Sequence, residues 1–168
     1  MSVRTPSPGQ ARRADAVEDP SDPLFGALSA LDPLSDSYCR FGAALLSEPS
    51  LSPILRELLI VVVLETCGAM QMAARHRAQA AYLGVDPMRL QNLATFETAP
   101  GFSDIERATL SFARDSALHI HVDEATFVAL RTWFDLRAIT VLTLLVAYYS
   151  GLAHIAVPLG IEAAQGPS

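Results

Sequence analysis

The sequence predicts an all-α protein, and three observations carry that reading. Helix starts recur: Asp22-Pro23, Asp32-Pro33, Ser52-Pro53 and Asp86-Pro87 each place a capping side chain before a proline at the first helical position. Ser103 and Glu106 add a capping box, and Gly84 closes an alanine-rich run. No stretch alternates convincingly with the period of two that a half-buried strand needs.

The elements follow in order. Residues 1–21, rich in Pro, Ser, Gly and charges of both signs, read as a disordered tail. Residues 22–168 read as one all-helical domain, large enough to bury a core. "LFGALSAL" and "LSDSYCRFGAALLSE" are the first two helices. "ILRELLIVVVLET" is the third. Its β-branched run would suit a strand by propensity alone, but the Ser-Pro start and the Arg-Glu pair in the first turns favour a buried helix. Gly68 interrupts it before "AMQMAARHRAQAAYL", and Asp86-Pro87 opens "MRLQNLATFE". "DIERATLSFARDSAL" and "EATFVALRTWF" follow, with Trp133 and Phe134 expected in the core. A long apolar helix within 136–160 closes the fold, giving about seven or eight helices on this capping count.

Composition excludes several classes. A formal charge of −6 argues against non-specific nucleic-acid binding, which needs a basic surface. No charged-then-apolar opening suggests a secretory leader, and two cysteines make no disulfide framework, so a reducing cytoplasm is the expected setting. No C-x-x-C occurs and the four histidines are scattered, which argues against a structural metal. The closing helix is near spanning length but contains Arg137, Thr140, Thr143, Ser150 and His154, so it reads as a bundle centre or an oligomer interface rather than a membrane anchor.

Few residues are suited to chemistry. An activated thiolate wants a helix N-terminus, a cationic neighbour or a second cysteine. Cys67, beside Glu65 and Gly68, shows none of these, and both it and Cys39 read as small buried residues. His76 shares a helical face with Met72 and Ala69, a face otherwise apolar, and its imidazole is the side chain best able to exchange protons near neutrality. Glu57 reads either as a first-turn acid complementing the helix dipole or as a partly buried carboxylate able to work with a histidine. Arg75 and Arg77 flank His76 and read as a solvated face. His119 and His121 lack an obvious third ligand, and Tyr148 and Tyr149 do not share a face with His154.

"LSPILRELLIVVV" followed by "ARHRAQAAYLGVDP", then "FSDIERATLSFARDSALHIHVDEATFVALRTWF" and the closing "YYSGLAHIAVPLG", resemble the carboxymuconolactone decarboxylase and alkylhydroperoxidase D-like superfamily. The likeness covers residues 33 to 162. It implies an alkylhydroperoxidase D-like helical bundle assembled as a homotrimer or homohexamer. Peroxidases of the superfamily use a C-x-x-C pair and a histidine, with a glutamate on the preceding helix. The histidine falls on His76 and the glutamate on Glu57; the cysteine positions fall on Ala69 and Met72. Cys67 lies two residues too early, about 200° around the helix. The thiol relay is therefore missing. The resemblance implies instead a cofactor-independent acid–base enzyme, a decarboxylase or isomerase of a small carboxylated or lactone-type molecule. Glu57 and His76 would be catalytic, and Ala69 and Met72 would line the substrate site. The alternatives are a non-catalytic binding or assembly protein of this fold, and an atypical thiol peroxidase using Cys67.

Overall fold

A computed structural model of the chain describes residues 23–29, 31 and 33–161; the expected tail and the capping residues Asp22 and Asp32 lie outside them. The described residues form eight α-helices, one short 3₁₀ turn and no strand, in agreement with the expected class. The chain divides into two compact units, the first ending at Ser47 and the second beginning at Glu48.

In the first unit α1 (Pro23–Ser29) packs against α2 (Leu34–Ser47). The second unit is built on α3 (Pro53–Thr66), whose residues from Leu55 to Leu64 are all buried. The Ser52 hydroxyl accepts from Leu55 N–H at 3.2 Å, and Pro53 occupies the first helical position, where its missing N–H costs nothing. This nucleation fixes the helical state of a run that propensity alone would give to a strand, because a helix apolar all round is satisfied only at the centre of a bundle. Burying each Leu or Ile there stabilises by roughly 1.5–3 kcal/mol.

A Schellman motif ends α3. Gly68 N–H bonds Glu65 C=O at 3.1 Å and Ala69 N–H bonds Leu64 C=O at 2.8 Å, with Gly68 at φ +78°. The reversal turns the chain directly into α4 (Met70–Tyr82), which packs along α3. Buried Ala73 and Ala80 on that face keep the two helices close. α5 (Pro87–Gln91) starts at Asp86, which accepts from Met88 N–H at 2.7 Å. It stops far short of the expected "MRLQNLATFE" helix: residues 93–95 form a 3₁₀ turn, and the Arg107 guanidinium draws the Phe96 and Ala99 carbonyls away from any helical ladder.

α6 (Asp104–His119) carries the expected box: Ser103 N–H donates to Glu106 at 2.8 Å. α7 (Glu124–Arg131) ends before "TWF", and Trp133, expected in the core, is 49% exposed. α8 (Leu136–Ala156) starts at Asp135, which accepts from Ala138 N–H at 2.8 Å. It is long and apolar enough to cross a membrane by length and composition, yet over half of it is buried, and it packs against α3 and α6.

Candidate functional site

Glu57 lies in the fifth position of α3, one turn past the cap, and the bundle centre encloses it: it is 3% exposed. His76 lies midway along α4 on the face carrying Met72, Ala73 and Ala80. Because the Schellman turn folds α4 back along α3, the two side chains converge. His76 Nδ1 lies 2.7 Å from Glu57 Oε2, within the range of a charge-assisted hydrogen bond. With Nδ1–H donating to the carboxylate, the tautomer is set and Nε2 is left for other chemistry. Nε2 makes no hydrogen bond among the described residues, and the His76 side chain keeps 22% of its surface exposed.

A third ring completes the arrangement. Tyr149 of α8 stands perpendicular to the imidazole, with ring centroids 5.1 Å apart, and Tyr148 stands perpendicular to Tyr149 at 5.3 Å. Tyr149 is 4% exposed. Burial, and next the nearby Glu57 carboxylate and Tyr148, push its phenol well above the usual tyrosine range; only the Arg56 charge pulls the other way. The phenol is neutral throughout ordinary conditions and acts as a donor, not a base. No local signal joins Tyr149 to His76, since they meet only once α8 packs into the bundle.

The other predicted residues are placed as follows. Ala69 caps α4 and is fully enclosed, and Met72 is buried one turn before His76, so both form apolar packing on the histidine's face of the helix. Cys67 is the C-cap of α3, the opposite end from the one that activates a thiol; its Sγ lies 3.7 Å from the Ser150 hydroxyl. Neither cysteine is in a disulfide, and both are half-buried. Arg77, expected on a solvated face, is instead anchored: its Nε donates to Glu65 at 2.5 Å and a second nitrogen to the Leu90 carbonyl. His119 and His121 are exposed, and no cluster of three or more His, Cys, Asp or Glu that could hold a metal occurs among the described residues.

A carboxylate, an imidazole with a free nitrogen, and a neutral phenol beside apolar walls make an acid–base site. Such a set can deliver a proton to carbon or remove one, with the carboxylate stabilising the imidazolium in between.

Residues 33–115 match the carboxymuconolactone decarboxylase family, and no curated protein matches the chain. Among solved structures, a cysteine-to-alanine variant of the debrominase Bmp8 in complex with 2,3,4-tribromopyrrole is similar at TM-score 0.73 and 16% identity, covering 95% of this chain and 91% of that one. A peroxidase-related protein from Silicibacter sp. TM1040, itself uncharacterized, is similar at TM-score 0.72 and 20% identity, covering 92% and 85%. ATU0492 from Agrobacterium tumefaciens, a protein of unknown function proposed to be the antioxidant defence protein AhpD, is similar at TM-score 0.69 and 14% identity, covering 81% and 92%. Residues 33–115 thus carry the carboxymuconolactone decarboxylase family pattern, the described residues have the alkylhydroperoxidase D-like all-α fold, and the sequence has no C-x-x-C pair.

Proposed function

We propose that this protein is a cofactor-independent acid–base enzyme acting on a small carboxylated or lactone-type molecule, as a decarboxylase or isomerase. The observation that carries the reading is the 2.7 Å contact between buried Glu57 and His76, with Nε2 unpartnered. The family description is consistent with an enzyme, and the similarity to a debrominase solved with a small brominated ring fits a small-molecule site.

The step is a decarboxylation next to a carbonyl. The bond between the α-carbon and the carboxylate breaks, and its electron pair enters the adjacent carbonyl as an enolate while carbon dioxide leaves. The imidazolium of His76 then gives the Nε2 proton to the α-carbon, with Nδ1–H held by Glu57 throughout, and solvent returns the proton. Ala69 and Met72 supply the apolar wall that weakens hydration of the departing carboxylate.

The test is carbon dioxide release from carboxylated γ-lactones, followed for His76→Ala and Glu57→Ala with the fold checked by circular dichroism. Loss of a positioned acid or base costs about 10²- to 10⁴-fold. Activity that survives both substitutions refutes the reading. The complete enclosure of Ala69 favours a second reading, a binding or assembly protein that keeps the helical oligomer without the chemistry. Assembly as a homotrimer or homohexamer belongs to both readings. It is supported by the exposed Phe127, Val128, Trp133 and Leu136 around α7, and sedimentation tests it.

A further inference from the structure

We infer that Tyr149 is a catalytic hydrogen-bond donor, its hydroxyl binding the oxyanion that develops on the substrate carbonyl when His76 exchanges a proton with the neighbouring carbon. This inference rests on the acid–base reading of the Glu57–His76 pair and narrows its substrate class. The substrate must be able to place negative charge on an oxygen two bonds from the carbon that receives the proton.

Three observations carry it. The first is location: the phenol stands perpendicular to the His76 imidazole at 5.1 Å, so a small molecule reaching one ring reaches the other. The second is an unmet hydrogen bond. Tyr149 is 4% exposed, its ring meets those of His76 and Tyr148, and its hydroxyl makes no hydrogen bond among the described residues. A donor left open beside a histidine whose outer nitrogen is also open is the arrangement of a site that a ligand completes. The third is charge. Burial, and next the Glu57 carboxylate, keep the phenol protonated, so it has a hydrogen bond to give, and an oxyanion is the acceptor that repays it most.

Tyr149 is also held for this task. Tyr148 braces its ring from the side at 5.3 Å, and the following residue, Ser150, is the partner of Cys67. Donors fixed before the reaction are the ones that stabilise charge without reorganising.

The experiment compares the full-length chain with Tyr149→Phe, His76→Gln and Glu57→Gln in two assays. The first follows carbon dioxide release from 2-oxotetrahydrofuran-3-carboxylate, a lactone carboxylated beside its carbonyl. Tyr149→Phe should lower kcat about 100-fold, the usual loss for one oxyanion donor, with KM moving far less. The second measures binding of 4-nitrophenolate, an oxyanion whose absorbance reports its ionisation. The unaltered chain should bind it, and Tyr149→Phe should weaken that binding at least about tenfold, a change that loss of packing alone does not produce in an otherwise isosteric ring. If Tyr149→Phe turns over and binds within twofold of the unaltered chain while His76→Gln and Glu57→Gln lose activity, the donor role is overturned and the acid–base reading stands. If the unaltered chain neither turns over the lactone nor binds the phenolate, both fall. Binding of the phenolate that depends on Tyr149, without turnover, keeps the donor and removes the decarboxylation.

Discussion

The Glu57–His76 pair makes a prediction about stability whose sign, not only its size, is informative. Replacing His76 by Ala leaves the Glu57 carboxylate 3% exposed and without its 2.7 Å partner. Removing the partner of a buried, hydrogen-bonded carboxylate costs up to about 3–5 kcal/mol, since the group left behind stays desolvated. His76 itself keeps 22% of its side-chain surface in solvent, so water reaches one side of the gap. The expected loss is therefore nearer about 2–4 kcal/mol. Adding Glu57→Gln removes the stranded charge and should return about 1–2 kcal/mol, so the double variant is more stable than His76→Ala alone. The assay is urea unfolding of four proteins, unaltered, His76→Ala, Glu57→Gln and the double variant, at pH 7 and one fixed protein concentration, because assembly would otherwise shift the midpoint. Refutation is simple to recognise. If Glu57→Gln destabilises the His76→Ala background as much as it does the unaltered chain, within about 0.5 kcal/mol, the two residues are energetically independent and the site is not a unit.

Further outcomes follow from other parts of the chain. Ile120 sits at φ +61° and is 93% exposed, so it bears the strain of a left-handed backbone without burying its side chain; Ile120→Gly should raise stability by about 1 kcal/mol, read as an upward shift in Tm, and a fall would refute the strain argument. Burial alone would raise the Glu106 carboxyl, but hydrogen bonds from the Ser103 backbone and hydroxyl, and the Arg89 guanidinium, outweigh it and hold the group below its usual range. That contribution is complete above pH 4.5 and is lost as pH falls through the lowered value, so Glu106→Gln should flatten the acid limb of the stability curve and lower stability at pH 7 by about 1 kcal/mol. An unchanged acid limb would count against the box. Cys67→Ala should leave turnover of a carboxylated lactone within about twofold, since Cys67, expected to be buried, is only half-buried and its small thiol is easily replaced; a loss of 10²-fold would revive the thiol reading.

What the sequence disclosed, and what it hid, follows from how far each interaction reaches along the chain. Caps are local and legible: Ser52 and Asp86, both marked by the proline that follows, accept from a backbone N–H two or three residues on. The end of α5 is not local. Beyond it, Arg107, eleven residues after Phe96, takes that carbonyl out of any continued helix, a bond that residues 87–96 alone do not reveal. Trp133 is hidden for a related reason: an aromatic at a helix end is apolar whether it faces the core or an unoccupied surface, and composition cannot tell the two apart. The candidate site shows the same gradient. Glu57 and His76 are 19 residues apart and joined by one tight reversal, so helix geometry and family resemblance together pointed to both. Tyr149 lies 73 positions beyond His76 on a long, mostly apolar helix whose pattern marks no link to α4, and its part emerges only from a ring contact across the bundle.

That gradient bears on how the site works. Two of its members ride on adjacent helices locked by a Schellman turn, so their spacing is set by the most local and rigid link in the second unit. The third arrives on the longest helix, through packing against α3. The carboxylate and imidazole are thus fixed relative to each other by the chain, whereas the phenol is fixed relative to them by the core. A substitution that thins the core around α8, such as Leu145→Ala at a fully buried position one turn before Tyr149, should therefore move Tyr149 without parting Glu57 from His76. Beyond its cost of about 2–5 kcal/mol in stability, it should depress turnover and phenolate binding together, as Tyr149→Phe does, while the stability rescue between His76→Ala and Glu57→Gln persists. Loss of that rescue in the Leu145→Ala background would mean that the pair itself depends on α8, and that the site is a single cooperative cluster rather than a rigid pair with a docked donor.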